Sequence, residues 1–225
     1  YDESAIEIEG YGRISHTGKI PVYELLDGKT VTESSISKVV LGNMEVSYVI
    51  GEEEVCAILI RTPAVIENIR VLLLADDGGK FRSAVYLKAD TDARIRFGGN
   101  ESDYAAGTLL DVSTWFTECN DTFSIQPVTE NGKIFLCDEV GNTISNGYPG
   151  SAEVRRYEEG YTVVNSVPFE TYLTAVVPSE MPSTYEKEAL KAQAVCARSY
   201  AYIQLMRADL AAFGAHINDS TSYQV

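Results

Sequence analysis

The hydrophobic period of this chain changes once, at Pro168, and that change sets the class of fold. Before it, short apolar stretches alternate with turn residues such as Asp27-Gly28, Gly98-Gly99-Asn100 and Glu130-Asn131-Gly132, the pattern of strands joined by tight connections. After it, Phe169, Leu173 and Val176 recur at helical spacing, and an alanine-rich run follows. The expectation is an α+β chain: a mostly β N-terminal part, with a helical segment at the C-terminal end.

Residues 20–23, 38–42, 46–50 and 55–60 read as strands of a first all-β unit, a sandwich or small barrel. Thr62-Pro63 reads as its boundary, giving an accessory β module over 1–62 and a second domain over 63–225. Residues 68–74 open a second β series and are apolar enough to be buried on both faces. Strands are expected over 84–88, 93–97, 123–127 and 133–137, then a hairpin over 154–167, with Trp115 and Phe116 as core aromatics. Asp76-Asp77-Gly78-Gly79 reads as a turn, since no calcium-loop spacing follows it.

The 225 residues carry 33 acids against 18 bases, a formal charge of −15. Nucleic acid and anionic membrane surfaces call for basic patches, so this balance argues against both. It leaves neutral substrates such as glycans, or a basic protein partner. Four cysteines are too few and scattered for a disulfide scaffold. Cys56 reads as a buried thiol, Cys196 as a small packing residue in a helix, and Cys119 and Cys137 as a pair able to bridge a hairpin. With His16 and His216 the only histidines, no zinc site and no cofactor are expected.

Pro178-Ser179-Glu180-Met181-Pro182 sets one acid between two prolines. Proline fixes its own φ and pushes the preceding residue toward extended geometry, which predicts a stiff, non-helical turn holding Glu180. A short helix is expected over 168–176 before it. Ser183-Thr184-Tyr185-Glu186 matches a capping box, predicting a long helix over 184–208. Leu190, Ala194, Ala197 and Ala201 form a narrow stripe that would let neighbours approach closely, placing this helix in the middle of its domain. Lys191, Val195, Arg198 and Tyr202 line another face.

A carboxylic acid partly screened from water can protonate the leaving oxygen of a glycosidic bond, because desolvation raises its pKa. Hydrolysis usually recruits a second carboxylate. Here Glu186 is assigned to the capping box, Glu188 to solvent and Glu170 to the N-terminus of its helix. A lone acid fits a reaction in which the substrate supplies the nucleophile, such as an intramolecular transglycosylation in which one group serves as acid and then base. Glu180 could equally be a helix-dipole partner. Arg198, several turns along the helix axis, could act in a cleft or simply pair with an acid.

The run from Val164 through Pro168-Phe169-Glu170-Thr171-Tyr172-Leu173 to Pro178-Ser179-Glu180-Met181-Pro182, followed by Glu188-Ala189-Leu190-Lys191-Ala192-Gln193-Ala194-Val195-Cys196-Ala197-Arg198-Ser199-Tyr200-Ala201, closely resembles the SpoIID/LytB family. The resemblance implies a lytic transglycosylase acting outside the cytoplasmic membrane on peptidoglycan glycan strands stripped of stem peptides. It can be anchored by an N-terminal segment and work with a cell-wall amidase in sporulation engulfment. It places the catalytic role on Glu180, with Ser179, Lys191, Gln193 and Arg198 binding substrate or supporting it. Non-catalytic wall binding, amidase modification and a structural part in an engulfment complex are the other roles it leaves open. In the family a motif near the end of this chain carries zinc-binding Cys and His positions in some members. Here Tyr223 stands at the cysteine position and His216 is left without partners, so no metal is expected. The family domain normally continues past this motif, so the chain is expected to be a truncated form, with activity of the piece alone in doubt.

Overall fold

The computed structural model describes residues 4–8, 11–62, 65–117, 121–207 and 209–220. The chain divides into two compact units, Tyr1–Glu67 and Asn68–Val225. The first unit extends past Thr62 because Val65 is tied back into it: its N–H donates to Asn43 Oδ1 (3.0 Å) and its carbonyl accepts the Met44 N–H (2.9 Å).

In the first unit β1 (Ala5–Ile8), β2 (Gly12–Ser15), β3 (Val22–Leu26), β4 (Thr30–Glu33), β5 (Val46–Gly51) and β6 (Glu54–Arg61) form one six-stranded sheet. β6 is its hub, parallel to β2 and β3 and antiparallel to β5. Alternation sends Ile58 and Ile60 inward, and a bulge at Cys56, where the pairing passes from Val49↔Ala57 to Ile50↔Val55, brings Val55 to the same side, onto Ile6, Ile20 and Val22. Two expectations fail here. Residues 38–42 are not a strand: Ser35 caps a 3-10 turn, Ile36–Lys38, by accepting the Ser37 N–H, and the chain turns again at Gly42 (φ 74°). Cys56 is exposed rather than buried, because it occupies an outward position of β6, flanked by the buried Val55 and the half-buried Ala57.

The second unit holds β7 (Asn68–Leu73), β8 (Tyr86–Ala89), β9 (Ala93–Phe97), β10 (Asn100–Tyr104), β11 (Leu110–Asp111), β12 (Thr122–Pro127), β13 (Lys133–Cys137), β14 (Tyr148–Pro149), β15 (Ser151–Tyr157), β16 (Gly160–Pro168) and β17 (Ile217–Asn218), with helices α1 (Phe169–Glu180) and α2 (Lys187–Arg207). Seven strands form a sheet in the order β10-β9-β12-β15-β16-β7-β17, and four form a second, β11-β8-β13-β14. One core joins residues of both sheets to Tyr172, Leu173 and Val176 of α1 and Ala197 and Ala201 of α2. β7 is buried on both faces, as its sequence requires: Ile69, Val71 and Leu73 enter this core, while Leu72 packs on the other side with Val164, Leu210 and Ala215. Each such fully buried aliphatic side chain contributes about 1.5–3 kcal/mol. Trp115 and Phe116 are core aromatics, Trp115 meeting Phe123 edge-on at 5.1 Å.

β15 and β16 meet through a turn that only glycine fits. Gly160 has φ 141°, and a Cβ there would lie 2.6 Å from the Arg82 carbonyl oxygen. Along the other side of β16 the register with β7 runs from Val163↔Leu73 to Pro168↔Asn68. The chain therefore leaves the sheet at Pro168, beside the start of β7, and enters α1 there.

Cys137 is a buried free thiol, pushed up from its ordinary pKa chiefly by burial. Its suggested partner Cys119 lies outside the described residues, as does Tyr223.

Candidate functional site

Pro168 (φ −53°) delivers the chain into α1 with Glu170 in the first turn, where the helix dipole favours an acid. Tyr172, Leu173 and Val176 are buried, and Phe169 is half-buried against the same core. α1 does not stop before Pro178, as the sequence predicted, but runs through it to Glu180. Proline lacks the N–H that would bond four residues back, yet this close to the end the loss is a single bond. The final carbonyls find other donors: Ser179 Oγ donates to Ala175 O (2.9 Å) and the Met181 N–H to Val177 O (3.0 Å).

Glu180 is thus the last residue of a helix, exposed to solvent, and not part of a stiff non-helical turn. It sits at the end of α1 where the macrodipole favours cations. Among the described residues its carboxylate makes no hydrogen bond or ion pair. Its charge does reach Tyr172, four and eight residues separating Val176 and Tyr172 from it along one face of α1. Burial pushes the Tyr172 phenol far above its ordinary pKa, and Tyr200 and the Glu180 charge add to the effect. The spacing 172-176-180 was present in the sequence as a signal for this neighbour, and so was Tyr200 beside Arg198.

The connection 181–186 is short. Tyr185 N–H donates to Pro182 O (3.0 Å), closing a turn over Ser183 and Thr184. The expected capping box is absent: α2 begins at Lys187, and the Ala189 and Leu190 N–H groups go to the Glu186 carbonyl. The Glu186 side chain is exposed and is not occupied as a cap, which removes one of the reasons for treating Glu180 as the lone acid.

α2 folds back against α1. Ala197 and Ala201 are 0% and 1% exposed, and their small side chains let the two helices approach. The remainder of α2 lies at the surface, contrary to the expectation of a central helix: only Ala197, Ala201, Gln204 and Leu205 are buried along its length. Cys196 is exposed instead of packed. The fold-back also corrects the separation expected between Arg198 and the acids of α1. Arg198 grips Glu170 through both guanidinium arms (Nε 3.2 Å, Nη2 2.6 Å), and this pairing holds the guanidinium above its ordinary pKa. Lys191 donates to Glu188 Oε1 at 2.8 Å. Of the sequence-predicted residues, Ser179 and Glu180 end α1, Lys191 and Arg198 stand exposed on α2, and Gln193 is half-buried. The geometry brings Arg198 to Glu170, a partner the sequence did not single out for it.

His216 is held by hydrogen bonds to the backbone of β7. It is 1% exposed, its Nδ1 accepts the Arg70 N–H (3.0 Å) and its own N–H donates to Arg70 O (2.8 Å). This clamp holds β17 to β7. Beside it Asp219 Oδ1 accepts the Leu74 N–H at 2.8 Å. Burial pushes the Asp219 carboxyl up, against that hydrogen bond and the nearby Arg82 charge. A cavity of about 320 Å³ lies in the first unit between Lys19, Tyr23, Glu33 and Ser35, and none of the residues implied in chemistry line it.

Residues 157–225 match the family described as Stage II sporulation protein, SpoIID. Stage II sporulation protein D of Bacillus subtilis is 39% identical over 72 residues, 31% of this chain and 21% of that protein. The protein of the same name from Bacillus amyloliquefaciens is 42% identical over 65 residues, 28% of this chain and 19% of the relative. An uncharacterised protein of Brachyspira hyodysenteriae is 39% identical over 79 residues, 35% of this chain and 21% of its own length. The chain spans about a fifth of the length of the curated relatives it matches. No solved structure matches it. The matched segment takes in the end of β15, all of β16, both helices and β17, and over it this chain is similar to the SpoIID family.

Proposed function

We propose that this chain serves a sporulation-related function at the cell wall, as a lytic transglycosylase that cleaves peptide-stripped peptidoglycan strands outside the cytoplasmic membrane. The observation that carries the reading is Glu180: an exposed, unpaired carboxyl at the mouth of the α1–α2 hairpin, inside the family segment. Glu170 and Glu188 each face a base, Arg198 and Lys191, whereas Glu180 pairs with none among the described residues. Glu180 would protonate the leaving oxygen and then, as base, draw the proton from the muramyl 6-hydroxyl as it closes the anhydro ring. Because Glu180 stands in water, the screening a general acid needs would come from the bound strand itself.

Digestion of peptide-free strands, with products weighed by mass spectrometry, tests this. Anhydro-muramyl ends are expected from the unaltered chain, with a rate loss of about 10²–10⁴-fold in Glu180→Gln. Reducing ends that vanish in Glu186→Gln would mean hydrolysis with Glu186 as the second carboxylate. A second reading, a non-catalytic wall binder or amidase modifier, is favoured by the engagement of Ser179, Lys191 and Arg198 within the chain. Strand binding without any cleavage would establish it over the first.

A further inference from the structure

The first compact unit lies outside the segment matched to the family, yet it carries an open strand edge beside a cavity. β4 ends its sheet: it pairs with β3 and with no other strand, and all four of its residues are exposed. The register fixes which backbone groups are free. Ser34 N–H donates to Val22 O at 2.8 Å, so along the antiparallel ladder Thr32 and Thr30 also turn their backbone groups toward β3. Val31 and Glu33 turn theirs outward. Thr30-Val31-Thr32-Glu33 holds no lysine, no proline and no bulge, the devices that usually guard an exposed edge. Val31 adds to it an aliphatic side chain that is 57% accessible.

Glu33, the last residue of β4, also lines the cavity of about 320 Å³, together with Lys19, Tyr23 and the aliphatic side chains of Ile20, Val22 and Ile36. Tyr23 and Glu33 stand directly opposite each other in the ladder, so their side chains share a face. Among the described residues the Lys19 ammonium, the Tyr23 phenol and the Glu33 carboxylate make no hydrogen bond or ion pair. The neighbouring Glu24 differs, since Ser34 and Lys38 both donate to it.

We propose that β4 and this cavity receive an extended peptide segment of a partner protein, which adds to the sheet beyond β4 and sets a basic side chain against Glu33. The outward backbone groups of Val31 and Glu33 supply hydrogen bonds common to any sequence, and the cavity supplies the choice of side chain. Its aliphatic lining takes the stem of a lysine or arginine, whose charged head meets Glu33. Charge selects the occupant. Residues 1–67 hold 12 acids and five bases, so a basic segment is drawn to this unit. A second copy of the chain would bring acid against acid along the same edge.

Fluorescence anisotropy with the 225-residue chain tests this, using three labelled peptides. The first alternates valine and threonine around one central lysine, and the second has glutamate in place of that lysine. The third has proline at every second position and cannot pair with an edge. The lysine peptide is expected to bind, the glutamate peptide about fivefold more weakly, and the proline peptide not at all. Glu33→Gln should bring the lysine and glutamate peptides toward equal binding. Val31→Pro removes an outward N–H while leaving the bonds to β3, and should abolish binding. Since proline also restrains β4 itself, amide hydrogen exchange of the unaltered chain gives a second readout. On adding the lysine peptide, Val31 and Glu33 should slow, while Thr30 and Thr32, already bonded to β3, should not. No binding of the lysine peptide, equal binding of the lysine and glutamate peptides, or unchanged exchange at Val31 and Glu33 would each overturn the proposal. Self-association of the chain that Val31→Pro abolishes would overturn it too, by giving the edge to a second copy.

Discussion

Glu153 shows what a buried acid costs and what makes it worth keeping. Its carboxylate, on β15, accepts two hydrogen bonds from Arg70 of β7 (2.8 and 2.5 Å) and a third from Arg155 (3.4 Å), while Arg70 Nε also donates to Gly214 O. β16 runs between β15 and β7, so this cluster ties three strands to the segment that leads into β17. Burial alone would push the Glu153 carboxyl up, but the Arg70 hydrogen bonds and both arginine charges outweigh it and hold the group below the ordinary glutamate value. A folded pKa below the unfolded one stabilises the fold above the unfolded value, about 4.3. That contribution fades as pH falls through the lower folded value. Glu153→Gln leaves buried arginine charge without its partner and is expected to cost about 3–5 kcal/mol at neutral pH. Urea titrations from pH 7 down to 3 check both parts: the gap between the two proteins should close toward the acid end. A gap that stays constant with pH would show that Glu153 contributes by packing instead of charge.

The helical hairpin shows which parts of the element scale can be read from sequence and which cannot. The existence of α1 and α2, the double burial of β7 and the core role of Trp115 all follow from periodicity and composition, which are local properties. The ends of the helices did not follow. Pro178 argued for a break, but two donors close at hand, Ser179 Oγ and the Met181 N–H, satisfy the last carbonyls and let α1 continue to Glu180. Ser183 and Glu186 matched a cap, yet Pro182 had already committed Ser183 and Thr184 to a turn. Glu180 was therefore legible as a candidate from the sequence while its setting was not. The Arg198–Glu170 pair was missed for a related reason: it depends on how α2 folds back on α1, which no single-helix pattern encodes. The small stripe on α2 was read correctly as a close-approach surface, though for one contact with α1 and not for a central position. Ala201→Leu tests this. At 1% exposure the added volume should cost about 1–3 kcal/mol and push the helices apart, releasing Arg198 from Glu170. An Arg198→Gln substitution in that background should then cost nothing further, and a full additional loss would show that the seam had held.

At the scale of the molecule, charge sets two effects against each other. The chain carries −15 and both compact units share in it: residues 1–67 hold 12 acids and five bases, and residues 68–225 hold the other 21 and 13. Self-repulsion of that excess destabilises compact states, and salt screens it over a Debye length of about 8 Å at physiological strength. Added salt should therefore raise the midpoint of thermal unfolding. Lys187, Lys191 and Arg198 make one face of α2 locally cationic, so the strand binding of the proposed function should weaken over the same range of salt. A chain that attracted glycan only through hydrogen bonds and ring contacts would show the first trend without the second. Measured together from 20 mM to 500 mM sodium chloride, rising stability with falling affinity places the cationic function on one helix of an otherwise acidic molecule. Rising stability with unchanged affinity would leave that helix as a solvated surface. A Lys191→Gln/Arg198→Gln variant of the unaltered chain supplies the internal check: its net charge is −17, two lower than the parent's −15, so its stability should respond at least as strongly to salt while its affinity no longer does.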